Sequence, residues 1–247
     1  MKVSEIEVYY AMTFGALLTG IFFIFIHLLA NHILPADRIK QERWFSFSGG
    51  LAVSYVFVYV LPALHNEQQN INLDLTLFTM QSEIYFIGLV GVIMFYGSQL
   101  YVRQHAEDKE ITFWTQIIFY MIYNMLVAYV VTSAQVSGVQ AVFYSLAIGM
   151  HFIAVAHDMW REFADKYNRI GRYMLAIGIL AGWFIGVTAE FTALVQSLIF
   201  AFISGAMILN VFKYELPEDT NAHFPTFASG VVLYTVITMS LKFFFEW

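Results

Sequence analysis

From Ile111 to His157 the chain runs for 47 residues without one Asp, Glu, Lys or Arg. As one helix, at 1.5 Å per residue, that run would be about 70 Å long, over twice the roughly 30 Å hydrocarbon core of a bilayer. A stretch this apolar and too long for one crossing reads as two spanning helices. The break falls at Thr132-Ser133-Ala134-Gln135-Val136-Ser137-Gly138, a small and polar cluster. The rest of the chain agrees. Charged residues make up 12% of it, against about 25% in a soluble domain. Twelve basic and 18 acidic residues cannot cover the solvated surface of a 28.4 kDa globule, and the mean hydropathy is +0.66. A nucleic-acid binder, a disordered chain and a secreted disulfide scaffold are excluded as leading readings. With no cysteine, any metal would fall to His, Asp, Glu, Asn or water.

The expected fold is an all-α integral membrane protein of eight transmembrane helices, one polytopic domain over 1–247. The spans read as 8–32, 44–64, 82–102, 112–133, 139–160, 171–189, 191–213 and 225–245. The first is taken as a retained helix, because no small-residue cleavage site follows a short apolar core. Orientation follows Lys and Arg rather than the net charge of −6. Arg38, Lys40 and Arg43 follow span 1; Arg103 and Lys109 follow span 3. Arg161, Lys166, Arg169 and Arg172 follow span 5, and Lys213 ends span 7. Only Lys2 and Lys242 stand on the other side. The positive-inside rule then puts both termini outside, in a plasma or inner membrane.

An internal repeat adds to this plan. Phe47–Pro62 and Phe202–Pro217, offset by 155, agree at seven of sixteen positions. These are Phe47/Phe202, Gly50/Gly205, Val56/Val211, Phe57/Phe212, Tyr59/Tyr214, Leu61/Leu216 and Pro62/Pro217. The alternative is the small alphabet that membrane helices share. With the copies running in opposite directions, spans 1–3 and 6–8 form an inverted repeat, leaving spans 4 and 5 at the centre: a 3+2+3 arrangement.

With these features the chain resembles the ZIP family of divalent metal transporters. Span 2 ends in Tyr59-Val60-Leu61-Pro62 and span 7 in Tyr214-Glu215-Leu216-Pro217-Glu218, similar to the Leu-Pro that closes the same two spans in the family. The family's metal site comes from His-Asn-x-x-Asp in span 4 and His-Glu-x-x-His or His-Glu-x-x-Glu in span 5. Here those stretches read Tyr123-Asn124-Met125-Leu126-Val127 and His151-Phe152-Ile153-Ala154-Val155. Asn124 and His151 match; Tyr123, Val127, Phe152 and Val155 stand where the family has ligands. The family's long His-rich loop between spans 3 and 4 is replaced by Arg103–Glu110, with the single His105. The resemblance implies a divalent cation (zinc, iron or manganese) as the substrate and partner. No tightly bound cofactor and no enzymatic activity are expected.

The residues themselves supply a second argument. Asn124 and His151 each lie twelve residues into their span, about 18 Å deep, near the midplane. Polar groups at that depth are costly and are usually paired or functional. The two can face each other across spans 4 and 5, either as a mutual hydrogen bond or as ligands. His151, Asp158 and Glu162, at i, i+7 and i+11, fall on one helix face. That stripe could pass a cation in steps, with His151, Asn124 and Asp158 as ligands and Glu162, Tyr123 and His157 along the pathway. Alternatively, Asp158 and Glu162 simply occupy the inner headgroup zone. One imidazole and one amide make a poor tetrahedral zinc site, so water or Tyr123 would complete it.

Other polar residues read as structural. His27, Asn31 and His32 are expected at the inner interface, and Gln99 and Asn210 as interhelical hydrogen bonders. Gly178, Gly182 and Gly186 form a small-residue stripe for helix packing within the protomer, with a homodimer contact as the alternative. Two further functions stay open. One is a ZIP fold with a degenerate metal site, moving another solute or serving as a membrane interaction partner. The other is an intramembrane zinc hydrolase built on His151, His157, Asp158 and His223, which lacks a ligand pair at i, i+3 or i+4.

Overall fold

The computed structural model describes residues 15, 17–29, 38–70, 82–133, 138–189, 191–216 and 222–245. They are almost entirely helical. After α1 (Leu17–Leu29) come α2 (Arg38–Tyr55), α3 (Leu61–Asn70), α4 (Glu83–Gln104), α5 (Lys109–Ser133) and α6 (Gly138–Glu162). The one-turn α7 (Ala164–Lys166), α8 (Arg172–Thr188), α9 (Ala193–Asn210) and α10 (Phe224–Phe245) complete the order. Six segments are long and apolar enough to cross a membrane: Glu42–Asn70, Glu83–Gln104, Lys109–Ser133, Ala164–Thr188, Ala193–Glu215 and Phe224–Leu241. The chain is therefore an all-α membrane protein. The expected breaks at 134–137 and at Glu190, and the residues Asn31 and His32, lie outside the described residues.

Polar residues set several helix starts. Asp108 accepts from the backbone N–H of Glu110 (2.9 Å) and Ile111 (3.1 Å), capping α5. Thr192 does the same for α9 through Val195, and the His223 ring accepts from Thr226 at the start of α10.

The second span is longer than the sequence pattern indicates. A π-helical turn over Val56–Val60 joins α2 to α3, and the helix runs past Pro62 to Asn70. A proline lacks the N–H for the next helical bond and its ring crowds the carbonyl four residues back. A wider turn just before Pro62 relieves that conflict, so the helix continues instead of ending. A second π turn, Val211–Glu215, follows α9 two residues before Pro217. There the backbone goes extended at Leu216 and leaves the helix. A third π turn, Tyr167–Gly171, links α7 to α8.

The helices fall into two compact units. The first holds α1, α5, α6, α7 and α8. In it, Gly178 and Gly182 of α8 lie directly on the backbone carbonyls of Met121 and Met125 of α5. Any side chain there would strike main chain. This settles the role of the glycine stripe as packing within the protomer. On the other side α1 meets α6: the Phe23 and Phe152 rings pack edge-on at 5.0 Å, and the Thr19 and Ser145 hydroxyls are 3.1 Å apart.

The second unit holds α2, α3, α9, α10 and nearly all of α4. Two glycine crossings build it. Gly50 of α2 faces the carbonyl of Phe227 while Gly230 of α10 faces that of Phe47. In the other, Gly205 of α9 faces the carbonyl of Gly88 while Gly91 of α4 faces that of Phe202. Ser54 and Thr235 add a hydroxyl pair at 2.7 Å.

Candidate functional site

Polar side chains from three helices meet inside the first unit. Asn124 lies fifteen residues into α5, about 22 Å from its start. It is fully buried, as is His27 of α1. The Asn124 amide nitrogen lies 2.9 Å from His27 Nε2. His27, expected at the inner interface, is instead buried as the partner of Asn124. His27 shares a face of α1 with Thr19 and Phe23, eight and four residues earlier, and that face packs on α6. The i, i+4, i+8 spacing was the available signal.

The α1 backbone is held at the same point. Tyr167, in the π turn before α8 and fully buried, donates its hydroxyl to the His27 carbonyl at 3.0 Å. His151 of α6 is 3% exposed and meets the Tyr123 ring edge-on at 5.6 Å. Phe152 lies against both imidazoles, 5.1 Å from His27 and 5.9 Å from His151 between ring centres.

The structure therefore gathers His27, Tyr123, Asn124 and His151, but not the stripe down α6. Asp158 is exposed and lies 3.6 Å from the Arg161 guanidinium. Glu162 is also exposed and accepts from the Gln116 amide at 3.4 Å. His157 is buried beside Trp160, with ring centres 5.9 Å apart. Among the described residues no group of three or more His, Cys, Asp or Glu could hold a metal ion. Asn210 donates to Glu215 at 2.8 Å, in the π turn that directly follows α9. His223 belongs to the second unit and turns its ring to Thr226 at the start of α10.

The pair at the centre has one chemical peculiarity. With the amide nitrogen donating to Nε2, the imidazole proton sits on Nδ1. Among the described residues, the buried Nδ1 of His27 and Oδ1 of Asn124 are then both left without a hydrogen-bond partner. A half-turn of the amide reverses the roles. Oδ1 accepts from Nε2–H, and Nδ1 becomes a bare lone pair.

A family model described as "Protein of unknown function (DUF3270)" matches residues 99–160. The match takes in α5, α6 as far as Trp160, Asn124 and His151, and leaves out His27 and Tyr167. None of the curated proteins matches the chain.

Proposed function

We propose that this protein is a ZIP-like membrane transporter whose cargo, a divalent cation such as zinc, iron(II) or manganese, passes the polar centre of the first unit. One observation carries the reading: His27, Asn124 and His151, from three helices, are buried together far from either end of α5. Burying such groups within a span is costly unless they serve a solute or one another. Imidazole and amide donors without thiolates suit borderline to hard divalent ions.

The proposed architecture has eight spans, with α1 and α6 counted beside the six long apolar segments, both termini outside, and an inverted repeat. What supports the repeat is a constant offset. The π turns Val56–Val60 and Val211–Glu215 differ by 155, as do Gly50 and Gly205, and Phe47 and Phe202. Their crossing partners Gly88 and Phe227, and Gly91 and Gly230, share a second offset of 139. The α2/α10 crossing thus has the same residue-by-residue plan as the α9/α4 crossing.

A second reading, a ZIP-like fold that has lost metal transport and moves another solute or serves as an interaction partner, is favoured by one observation. Phe152 fills a ligand position of the pattern, and no three-residue His, Cys, Asp or Glu group occurs among the described residues. Uptake of zinc, manganese and iron(II) into proteoliposomes, wild type beside His151→Ala, separates the two. Saturable flux lost in the variant supports the carrier. No flux of any ion in folded wild type rejects it.

A further inference from the structure

We propose that the first unit binds an anionic phospholipid on the exposed face of α8, its phosphate held by Arg169, Arg172 and Tyr173 and an acyl chain lying along Ile177, Leu180 and Phe184. Four basic residues cluster where α6 ends and the span Ala164–Thr188 begins: Arg161, Lys166, Arg169 and Arg172. Two of them are neutralised. Arg161 lies 3.6 Å from the Asp158 carboxylate, and Lys166 reaches Glu110 at 2.5 Å. Among the described residues, Arg169 and Arg172 form no ion pair with a carboxylate. Arg169 is exposed. Arg172 stacks over the Tyr173 ring, 4.8 Å from its centre, and donates to the Tyr173 hydroxyl at 2.8 Å. The phenol thereby positions one guanidinium without neutralising it, and other N–H groups of the fork stay free for an acceptor.

Depth and direction both suit a lipid. Counted back from Thr188 at 1.5 Å per residue, Tyr173 lies about 22 Å and Arg169 about 28 Å along the span, near the far edge of a roughly 30 Å hydrocarbon core. That is the level of the headgroups. Tyr173, Ile177, Leu180 and Phe184 follow one another at four- and three-residue steps on one helix face. They are 47%, 58%, 51% and 62% exposed, because the opposite face of α8 packs on α5 through Gly178 and Gly182. An apolar stripe ending in two unneutralised guanidiniums complements a molecule with an anionic head and an apolar tail. Guanidinium groups match phosphate oxygens through paired N–H donors, and basic residues at the membrane surface attract anionic headgroups. A zwitterionic lipid carries its own ammonium, which the two arginines repel. Arg169 stands within the π turn Tyr167–Gly171 and Arg172 directly after it. Tyr167 of that turn holds the His27 carbonyl of α1, so a lipid bound here also braces α1, whatever the cargo.

Native mass spectrometry and thermal unfolding of the purified full-length protein in neutral detergent, with dioleoyl phosphatidylglycerol or dioleoyl phosphatidylcholine added, test this. Wild type is expected to bind phosphatidylglycerol at least about tenfold more tightly than phosphatidylcholine, and to melt at a higher temperature in its presence. One arginine near an anionic headgroup is worth about fivefold. Arg169→Gln/Arg172→Gln should therefore weaken phosphatidylglycerol binding by about 25-fold and abolish the preference. Asp158→Asn/Arg161→Gln, which removes an arginine together with its carboxylate, should keep the preference. Equal binding of the two lipids by wild type, or a preference that survives in Arg169→Gln/Arg172→Gln, overturns the proposal. Protection by inorganic phosphate or glycerol phosphate equal to that by phosphatidylglycerol also overturns it, since the anion would then bind without the tail. If the double variant does not fold, Arg169→Gln, which alters one exposed side chain, decides: an unchanged preference overturns the proposal, and a loss of about fivefold supports it.

Discussion

Gly182→Ala should destabilise the first unit and loosen its polar centre together. A methyl group at 182 would overlap the backbone carbonyl of Met125 and lie 3.0 Å from the Ala128 methyl. The carbonyl is main chain, so α5 must retreat bodily, by upwards of about 1 Å, to reach ordinary contact distance. A gap of that size forfeits about a quarter to a half of each contact's well of ~0.1–0.2 kcal/mol. Over the roughly 40–60 atom pairs that one buried side chain makes, the loss is about 2–3 kcal/mol. Alanine's better helix propensity returns about 0.8–1 kcal/mol, leaving a net loss of about 1–2 kcal/mol. Gly97→Ala is the control, because nothing lies within 4 Å of its added methyl; it should be neutral or slightly stabilising. The assay is reversible unfolding in mixed detergent and dodecyl sulfate micelles, followed by intrinsic fluorescence, with Trp183 adjacent to the change. The Asn124–His27 bond of 2.9 Å should also open as α5 moves. A Gly182→Ala protein as stable as Gly97→Ala would refute the close-packing argument.

Three further outcomes are expected. Thr19→Val and Ser145→Ala should each lower stability by about 0.6 kcal/mol, the double variant losing little more, as measured by a double-mutant cycle on the 3.1 Å hydroxyl pair. Tyr167→Phe should cost about 1 kcal/mol and reduce the melting temperature in detergent, because it strips the α1 carbonyl of its donor. In this cysteine-free chain, a cysteine replacing Ala189 should react with an impermeant maleimide from outside intact cells. One replacing His105 should react only after permeabilisation; the reverse pattern would invert the proposed orientation.

Much of the helical plan could be read from charge and length. The 47-residue uncharged run is too long for one crossing, and the helices do end at Ser133 and resume at Gly138. The packing role of the α8 glycines also follows from their spacing. Two things were hidden. The continuation of the second helix past Pro62 depends on a π turn, whose sequence signature is no more than a Leu-Pro a few residues later. The central site depends on which faces of α1, α5 and α6 meet. Periodicity along one helix places His151 and Asp158 on a common side, yet the bundle buries the first and leaves the second in the charged zone with Arg161. His27 stands near the end of a long apolar run, a place where an interfacial histidine is commonplace, so sequence depth alone does not single it out.

The π turns have a consequence for how this chain can change length. A π turn carries one residue more than an α-helix needs between the same two flanking segments. Removing a single residue within Val56–Val60 or Tyr167–Gly171, each followed directly by helix, would close the turn to ordinary α-helix while the helix beyond keeps its facing. The same deletion in the middle of α5 would rotate everything after it by about 100°, carrying Asn124 or its neighbours off His27. Homologous chains one residue shorter should therefore have their gap at those two places, and a deletion scan should find them the most forgiving points inside any span.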